Sequence, residues 1–359
     1  MQLLILAAGK GKRIKPIVTS KPLLPFLGRT LLESVAEQAS MLKPVQTVIV
    51  VNPKDKETVA RLFPRAKVVV QAKPTGMAGA VEAATRTDLV GPTVVINGDD
   101  LIDSSVLLDF KSQIQKNPEK IILTGIKSKA GYSGGYFDLQ GRTLQVIEKP
   151  QQRPSDWFKI VLDYFPKVED FAAQLKDDYE AGLNLCLAKY SYQLLKTTGE
   201  FVQLKYPWQV LDLTEAFLST FKGKAFIHKS AKVFPGANII NSYIGPKVVV
   251  GHNALVRDSI VESGSVVGYN TEIARSYVGP NNFFHSNYIG DSVIEAGSNF
   301  GAGAVLANFR FDHQPIGATG RAKFGAVVGR GAQVGVNASV MPGVMIEAGG
   351  TVWPGAVKK

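Results

Sequence analysis

Residues 227–359 repeat with a period of about six. An aliphatic residue is followed by Gly or Glu, two variable residues, then a small residue or Val, as in Val250-Gly251-His252-Asn253-Ala254 and Val267-Gly268-Tyr269-Asn270-Thr271. The pattern recurs at Ile289-Gly290-Asp291-Ser292-Val293, Val334-Gly335-Val336-Asn337-Ala338 and Val352-Trp353-Pro354-Gly355-Ala356. A hexapeptide period predicts a parallel β-helix, in which the aliphatic residue points into a narrow core and glycine permits the corner. The repeat breaks once, at 307–326, and a loop that leaves a regular solenoid is a place for function or for a tolerated insertion.

The first part obeys a different grammar. Fifteen of the 35 glycines and none of the four histidines precede residue 227. Apolar runs (LLILAA, TVIVV, KVVVQ, TVVIN, IILTGI) alternate with stretches of helical spacing (LLESVAEQASML, DKETVARLF, GAVEAATRT), which predicts a largely parallel α/β sheet. Residues 155–176 are expected to be helical with a break at Pro166. The expected domains are therefore 1–226 and 227–359, a Rossmann-like α/β domain followed by a β-helix.

Composition narrows the function classes. With 45% hydrophobic and 20% charged residues the chain is not broadly disordered. No apolar run reaches the length of a membrane span, and MQLLILAAGKGKR has no basic region ahead of its apolar run, so a buried first strand and a cytoplasmic protein are expected. The single cysteine, Cys186, lies in an apolar stretch and reads as a buried thiol. A net charge of +11 suits anionic partners. No nucleic-acid module or aromatic–basic interleaving is present, so phosphorylated small molecules are favoured over nucleic acid or a membrane. A first domain without imidazole is unsuited to His-based acid–base work but open to transfer at phosphorus, which depends on cations and positioning.

The chemistry-bearing motif follows the first strand: Leu6-Ala7-Ala8-Gly9-Lys10-Gly11-Lys12-Arg13, then Lys21-Pro22-Leu23-Leu24-Pro25. It lacks the third glycine of a dinucleotide fingerprint and the GK[ST] of a Walker loop. Its glycines still let backbone N–H groups approach phosphate oxygens beside cations. GxGxR followed by KPLLP resembles the sugar-1-phosphate nucleotidylyltransferases, with Lys12 for the usual Thr or Ser and Ser20 for a proline. Further segments are similar to that family in the same order: Gln71 to Ala80, Asn97-Gly98-Asp99-Asp100, Glu148-Lys149-Pro150, Glu180-Ala181-Gly182 and Pro207 to Asp212.

The resemblance implies a site. Leu6, Ala8, Gly9, Gly11, Gln71 and Gly76 would bind the nucleotide, and Arg13 and Lys21 would be catalytic. Asp99 and Asp212 would hold Mg²⁺, while Glu148, Lys149 and Gly182 would take the sugar phosphate. The reaction would form a UDP- or dTDP-sugar and pyrophosphate from a nucleoside triphosphate and a sugar-1-phosphate. A non-catalytic regulatory or assembly protein of the same architecture is the alternative, and the presence of Arg13, Lys21, Asp99 and Lys149 favours the enzyme.

The repeat also resembles the left-handed β-helix of hexapeptide acyltransferases, which implies a homotrimer or higher homo-oligomer. Within it, His285-Ser286-Asn287-Tyr288-Ile289-Gly290-Asp291, then Asn299 to Gly303, then Asn308, resemble the acetyltransferase half of bifunctional N-acetylglucosamine-1-phosphate uridylyltransferases. By that likeness His285 is a general base, Tyr288, Asn299 and Asn308 touch an amino sugar, Arg257 binds its phosphate, and acetyl-CoA is the co-substrate. Ala274 stands where that family has a lysine, and neighbouring Arg275 is expected to point elsewhere.

Overall fold

The computed structural model describes every residue except 130, 131, 142 and 177. The chain divides into two compact units: Met1–Lys10 with Leu32–Phe201, and Gly11–Leu31 with Val202–Lys359. The units are cut differently from the expected boundary after residue 226. The segment after the first strand, and the stretch just before the repeat, pack with the repeat.

The first unit is built on one nine-stranded sheet. Its strands are β1 (Gln2–Ala7), β2 (Gln46–Val51), β3 (Lys67–Val70), β4 (Thr93–Asn97), β5 (Ile121–Lys127), β6 (Gly135–Asp138), β7 (Gln145–Glu148), β8 (Trp157–Phe165) and β9 (Tyr192–Thr197). The order is β7-β6-β8-β4-β1-β2-β3, with β5 between β8 and β9. Helices α1 (Leu31–Ala39), α2 (Lys56–Leu62), α3 (Gly76–Thr85), α4 (Ser104–Lys116), α5 (Val168–Ala172) and α6 (Tyr179–Lys189) belong to the crossovers, where the spacing of apolar residues placed the first three.

Two expectations need correction. The sheet is mixed: β1, β2, β3 and β4 run parallel, but β8 is antiparallel to β4, β5 and β6. Residues 157–165 are strand β8, and only Val168–Ala172 beyond Pro166 are helical. WFKIVLDYF is buried along almost its whole length. A central strand covered on both faces loses its two-residue alternation, so its run cannot be told from a buried helix by spacing.

In the second unit the repeat forms three parallel seven-stranded sheets wound as a left-handed β-helix. The first sheet starts at Phe226–Ile227, the second at Lys232–Val233 and the third at Asn238–Ile240. Register sets Tyr243 on Ile260 and Ile260 on Tyr277, seventeen residues apart, while Tyr277 to Val293 takes sixteen and Val327 to Met345 eighteen. The shortfall from three hexapeptides lies at the corner after the third sheet, where Asn241, Asp258, Arg275 and Asp291 take φ values of 41–49°. The core is a ladder of one inward residue per strand, among them Ile244, Val261, Val278, Ile294 and Val328, with Phe284 stacked on Phe300 at 4.9 Å. The chain of the break at 307–326 leaves after Val305–Leu306 and returns at Val327–Val328. Helix α7 (Val210–Ser219) also belongs to this unit.

Among the described residues no helix is long and apolar enough to cross a membrane.

Candidate functional site

The parallel strands of the first unit end together, as open α/β sheets do where they bind ligands. The Gly98 N–H donates to Leu6 O at 2.9 Å, which puts the turn bearing Asp99 beside the end of β1, from which Ala8 and Gly9 emerge. A Cβ on Gly98 would lie 3.0–3.2 Å from Leu32, Ala7 and Ile5, so a side chain here would crowd the turn against β1. Asn97 Nδ2 donates to Asp100 at 2.9 Å and fixes the far side of that turn. Two strands away, the Gln71 N–H donates to Val51 O at 2.9 Å, and its side-chain Nε2 donates to Gly76 O at 3.0 Å. Gln71 and Gly76, both expected at the nucleotide, are thus one unit at the start of α3.

The expected sugar-phosphate residues lie around the other side of the sheet. Glu148 ends β7 and pairs with Lys149 at 3.1 Å. Lys149 sits at φ 47° with its N–H donated to Gly134 O. A Cβ on Gly135 would lie 3.5 Å from Glu148 Oε2 and 3.6 Å from Lys159 Cβ. Lys159, which motif reading missed, and Glu148 thus both border Gly135. The Lys159 ammonium is buried against Asp163 at 2.5 Å, and Tyr179 Oη donates to the same carboxylate at 2.8 Å. Burial pushes the Asp163 carboxyl upward, while Lys159 and Tyr179 pull against it. Asn184, also missed, clamps β7: its Oδ1 accepts from Val146 N–H at 2.8 Å and its Nδ2 donates to Val146 O at 2.9 Å. Gly182 lies inside α6, where a Cβ would come within 2.8 Å of Leu175 Cδ2, so its missing side chain serves helix packing. Glu180, in the first turn of α6, has a carboxyl raised by burial and lowered in turn by Lys159.

Arg13 and Lys21 belong to the second unit. Gly11 at φ +60° turns the chain so that its α-carbon substituent would lie 3.9 Å from Lys21 Cγ. The Arg13 guanidinium lies 5.9 Å over the Tyr206 ring, which itself stacks on Trp208 at 4.8 Å. Asp212, in the first turn of α7, is ion-paired with Arg321 from the break in the repeat. Burial raises the Asp212 carboxyl and Arg321 lowers it. No cluster of three His, Cys, Asp or Glu side chains forms a ready-made metal cage among the described residues.

On the third sheet of the repeat a second group converges. A Cβ on Gly290 would lie 2.6 Å from Asn308 Nδ2 and 2.8 Å from Tyr288 Oη, so those two polar atoms approach one point. Asn308 Nδ2 donates to Asp291 at 2.5 Å, and Arg275 grips Asp291 with two bonds of 2.7 Å. The expectation that Arg275 points elsewhere is corrected. As a corner residue it reaches the next coil beside Tyr288, whose hydroxyl and Asp291 both favour its charged form. Arg257, two coils above Gly290 in the same register column, pairs with Glu272 at 3.0 Å. His285 is exposed at the corner after Phe283–Phe284, and Asn299 lies on the next coil, paired with Phe283. Buried Ala274 occupies the register position between Arg257 and Gly290.

Comparison with known proteins bears on both groups. Residues 2–203 match the family described as nucleotidyl transferase. The chain is 26% identical over 409 residues to a bifunctional sugar-1-phosphate nucleotidylyltransferase/acetyltransferase of Sulfurisphaera tokodaii, covering 99% of this chain and 97% of that protein. It is 25% identical over 403 residues to a bifunctional protein GlmU of Methanocaldococcus jannaschii, covering 99% and 94%. A solved structure of a putative glucose-1-phosphate thymidylyltransferase from Bacillus anthracis, in complex with a sucrose, superposes with a TM-score of 0.54 at 18% identity. It covers 59% of this chain and 93% of that one, a likeness of fold.

Proposed function

Because this chain belongs to the nucleotidyl transferase family, we propose that it joins a nucleoside triphosphate to a sugar-1-phosphate, releasing pyrophosphate. The observation that supports the reading is the Leu6–Gly98 hydrogen bond, beside which the turn bearing Asp99 lies at the end of the strand from which Ala8 and Gly9 emerge. A phosphate oxygen of the sugar-1-phosphate attacks the α-phosphorus in line and pyrophosphate leaves. Arg13 and Lys21 stabilise the charge that develops, and Glu148 and Lys149 hold the nucleophile. The N–H groups of Ala8, Gly9 and Gly11 cradle phosphate oxygens. Gln71, with Gly76, reads the base, and its donor-plus-acceptor amide suits a pyrimidine edge, UTP or dTTP. Positioning and preorganised charge are what such a transfer needs.

Mg²⁺ fits this donor set in one respect. It prefers one or two carboxylates completed by substrate phosphates, and Asp99 at a strand end supplies one such oxygen donor. Asp212 is the second ligand in this reading, which requires it to leave Arg321. Bound there, the ion would neutralise phosphate charge.

A second activity is favoured by the approach of Tyr288 and Asn308 to one point of the repeat, with Asn308 tied through Asp291 to Arg275. In this reading the third sheet binds an amino-sugar phosphate, with Arg257 at the phosphate and Asn299 at the sugar. His285 removes the amine proton as acetyl-CoA is consumed. In this reading the repeat assembles as a homotrimer or higher homo-oligomer, which sedimentation tests.

The experiment is a matrix of nucleoside triphosphates against sugar-1-phosphates with Mg²⁺, read as pyrophosphate. A pyrimidine triphosphate is expected to give the fastest release. Free thiol from acetyl-CoA and glucosamine-1-phosphate is expected from the same protein and lost in His285→Ala. Thiol release unchanged by that substitution removes the second activity from this site.

A further inference from the structure

The segment that carries Arg13 and Lys21 is held by the repeat. Glu295, buried at a corner of the β-helix, accepts the N–H groups of Val18 and Thr19 at 3.1 and 2.9 Å and the Thr19 hydroxyl at 2.5 Å. Arg330 closes the same knot: its N–H donates to Glu295 at 3.0 Å and its guanidinium to Thr19 Oγ1 at 2.6 Å. Lys21 follows two residues on, opening the turn Lys21–Leu23. Past that turn the Tyr277 hydroxyl donates to Pro25 O at 2.7 Å, and Phe26 packs between Phe217 and Tyr277 at 5.0 and 5.1 Å. The Gly28 N–H then donates to Glu262 at 3.2 Å.

The repeat gives this corner to Gly or Glu, and what sets Glu262 and Glu295 apart is that they are buried, whereas Glu347 in the same position of the last coil is exposed. Each follows the inward-facing residue of a first-sheet strand, Val261 or Ile294. Gly245, Gly279 and Gly329 hold that corner position in other coils, where a Cβ would meet backbone at about 3 Å or less. At two coils the glycine gives way to a buried carboxylate, which costs free energy unless it is well hydrogen-bonded. Beside the Arg330 and Ser263 N–H groups of the repeat, both carboxylates take N–H donors from one segment, on either side of Lys21. The coil gains the Arg330 contacts, and the remaining acceptor capacity of the two carboxylates goes to a loop that must present cations in one geometry.

We propose that Glu295 and Glu262 are positioning residues for nucleotidyl transfer, fixing the main chain on both sides of Lys21 so that the repeat domain sets the geometry of the catalytic loop. The inference rests on the nucleotidyl-transfer reading. It makes the β-helix a structural part of the first reaction, beyond any acetyl transfer of its own. Because the loop's cations act on charge that develops during transfer, loosening it lowers kcat more than it raises KM.

The test uses the full-length chain with Glu295→Ala, the conservative Glu295→Gln and Thr19→Val. NDP-sugar formation gives kcat and both KM values, amide hydrogen exchange follows residues 14–24, and thermal melting checks the fold. Glu295→Ala is expected to lower kcat by about 10- to 100-fold, the scale of a misplaced catalytic group, with KM within about 3-fold and faster exchange at Val18 and Thr19. Glu295→Gln, which keeps one acceptor, recovers part of the loss, and Thr19→Val, which removes the hydroxyl's bonds to Glu295 and Arg330, gives about a 3- to 10-fold fall. A folded Glu295→Ala protein with wild-type kcat, or one whose kcat falls with unchanged exchange at Val18 and Thr19, overturns the inference. If Glu295→Ala does not fold, Glu295→Gln and Thr19→Val are judged by the same two criteria. A wild-type chain that makes no NDP-sugar from any pair overturns the nucleotidyl-transfer reading and this inference with it. An active wild type with an unaffected variant overturns this inference alone.

Discussion

Both units of this protein bury carboxylates, and they use them differently. In the α/β unit Asp163 is answered four residues away along its own strand, by Lys159 on β8, with Tyr179 from α6 completing the cluster. In the β-helix unit Glu262 and Glu295, besides contacts to Ser263 and Arg330 in the repeat, accept N–H groups more than 230 residues away in sequence. The first arrangement is a local charge pair locked in a sheet core. The second ties a distant segment to a regular scaffold. The contrast teaches that a solenoid, whose corners recur in register, offers fixed points to which an irregular functional loop can be fastened.

The largest effect that separates the two arrangements is expected from Lys159→Met. It strands Asp163 in a core with one oxygen already lacking a partner, at a cost of about 3–5 kcal/mol in urea unfolding. The double change Lys159→Met with Asp163→Leu is expected to return most of that loss, because an apolar pair of similar volume replaces a buried ion pair at little cost. A single variant as stable as wild type would show that the pair is not locked.

Glu262 sharpens the comparison through pH. Its carboxyl is pushed up to about 7 by burial, against the pull of the Gly28, Leu27 and Ser263 N–H groups. A folded-state pKa above the unfolded value means the folded protein holds the proton more tightly. The associated stability is complete below the ordinary carboxyl pKa and is lost as pH rises through about 7. Wild type is therefore expected to lose up to about 3 kcal/mol from this group between pH 5 and 8. Glu262→Gln should flatten that part of the profile and melt higher than wild type at pH 8. Parallel profiles for the two proteins would remove the buried charge from the account.

Smaller still is the expected cost of Gly268→Ala. Its Cβ would sit 2.3 Å from Phe284 O, so the coil must shift, at about 1–3 kcal/mol for an overpacked site. An equal change at exposed Gly223, where nothing lies within 4 Å of the new atom, tests backbone strain without the clash, since its φ is +81°. At the bottom of the scale, Cys186 is buried in α6 with its thiol pushed up to about 11. Alkylation at pH 8 is expected only after unfolding, which mass spectrometry reads directly.

How much of this was legible in the sequence also differs between the units. The repeat announced its sheets and its core ladder, because every coil restates the same pattern. It did not announce that coils take sixteen or seventeen residues here, and without that register the Arg275–Asp291–Asn308 cluster stays hidden. In the α/β unit the five aliphatic strands and three helices were readable, and β8 was not, because burial on both faces erased its alternation. The glycine loop was readable as a motif. Its anchors were not, since nothing local to Thr19 or Gly28 points to glutamates in the repeat. Lys159 and Asn184 were missed for the same reason: each acquires its place only when β6, β7, β8 and α6 come together.

The most direct test of the central claim is the turnover number for NDP-sugar formation in wild type, Arg13→Ala and Asp99→Asn, each shown to melt as a folded protein. Robust wild-type turnover is expected, with losses of about 100-fold or more in both variants, as when a preorganised charge is removed from a transition state. Equal turnover in all three proteins would contradict it.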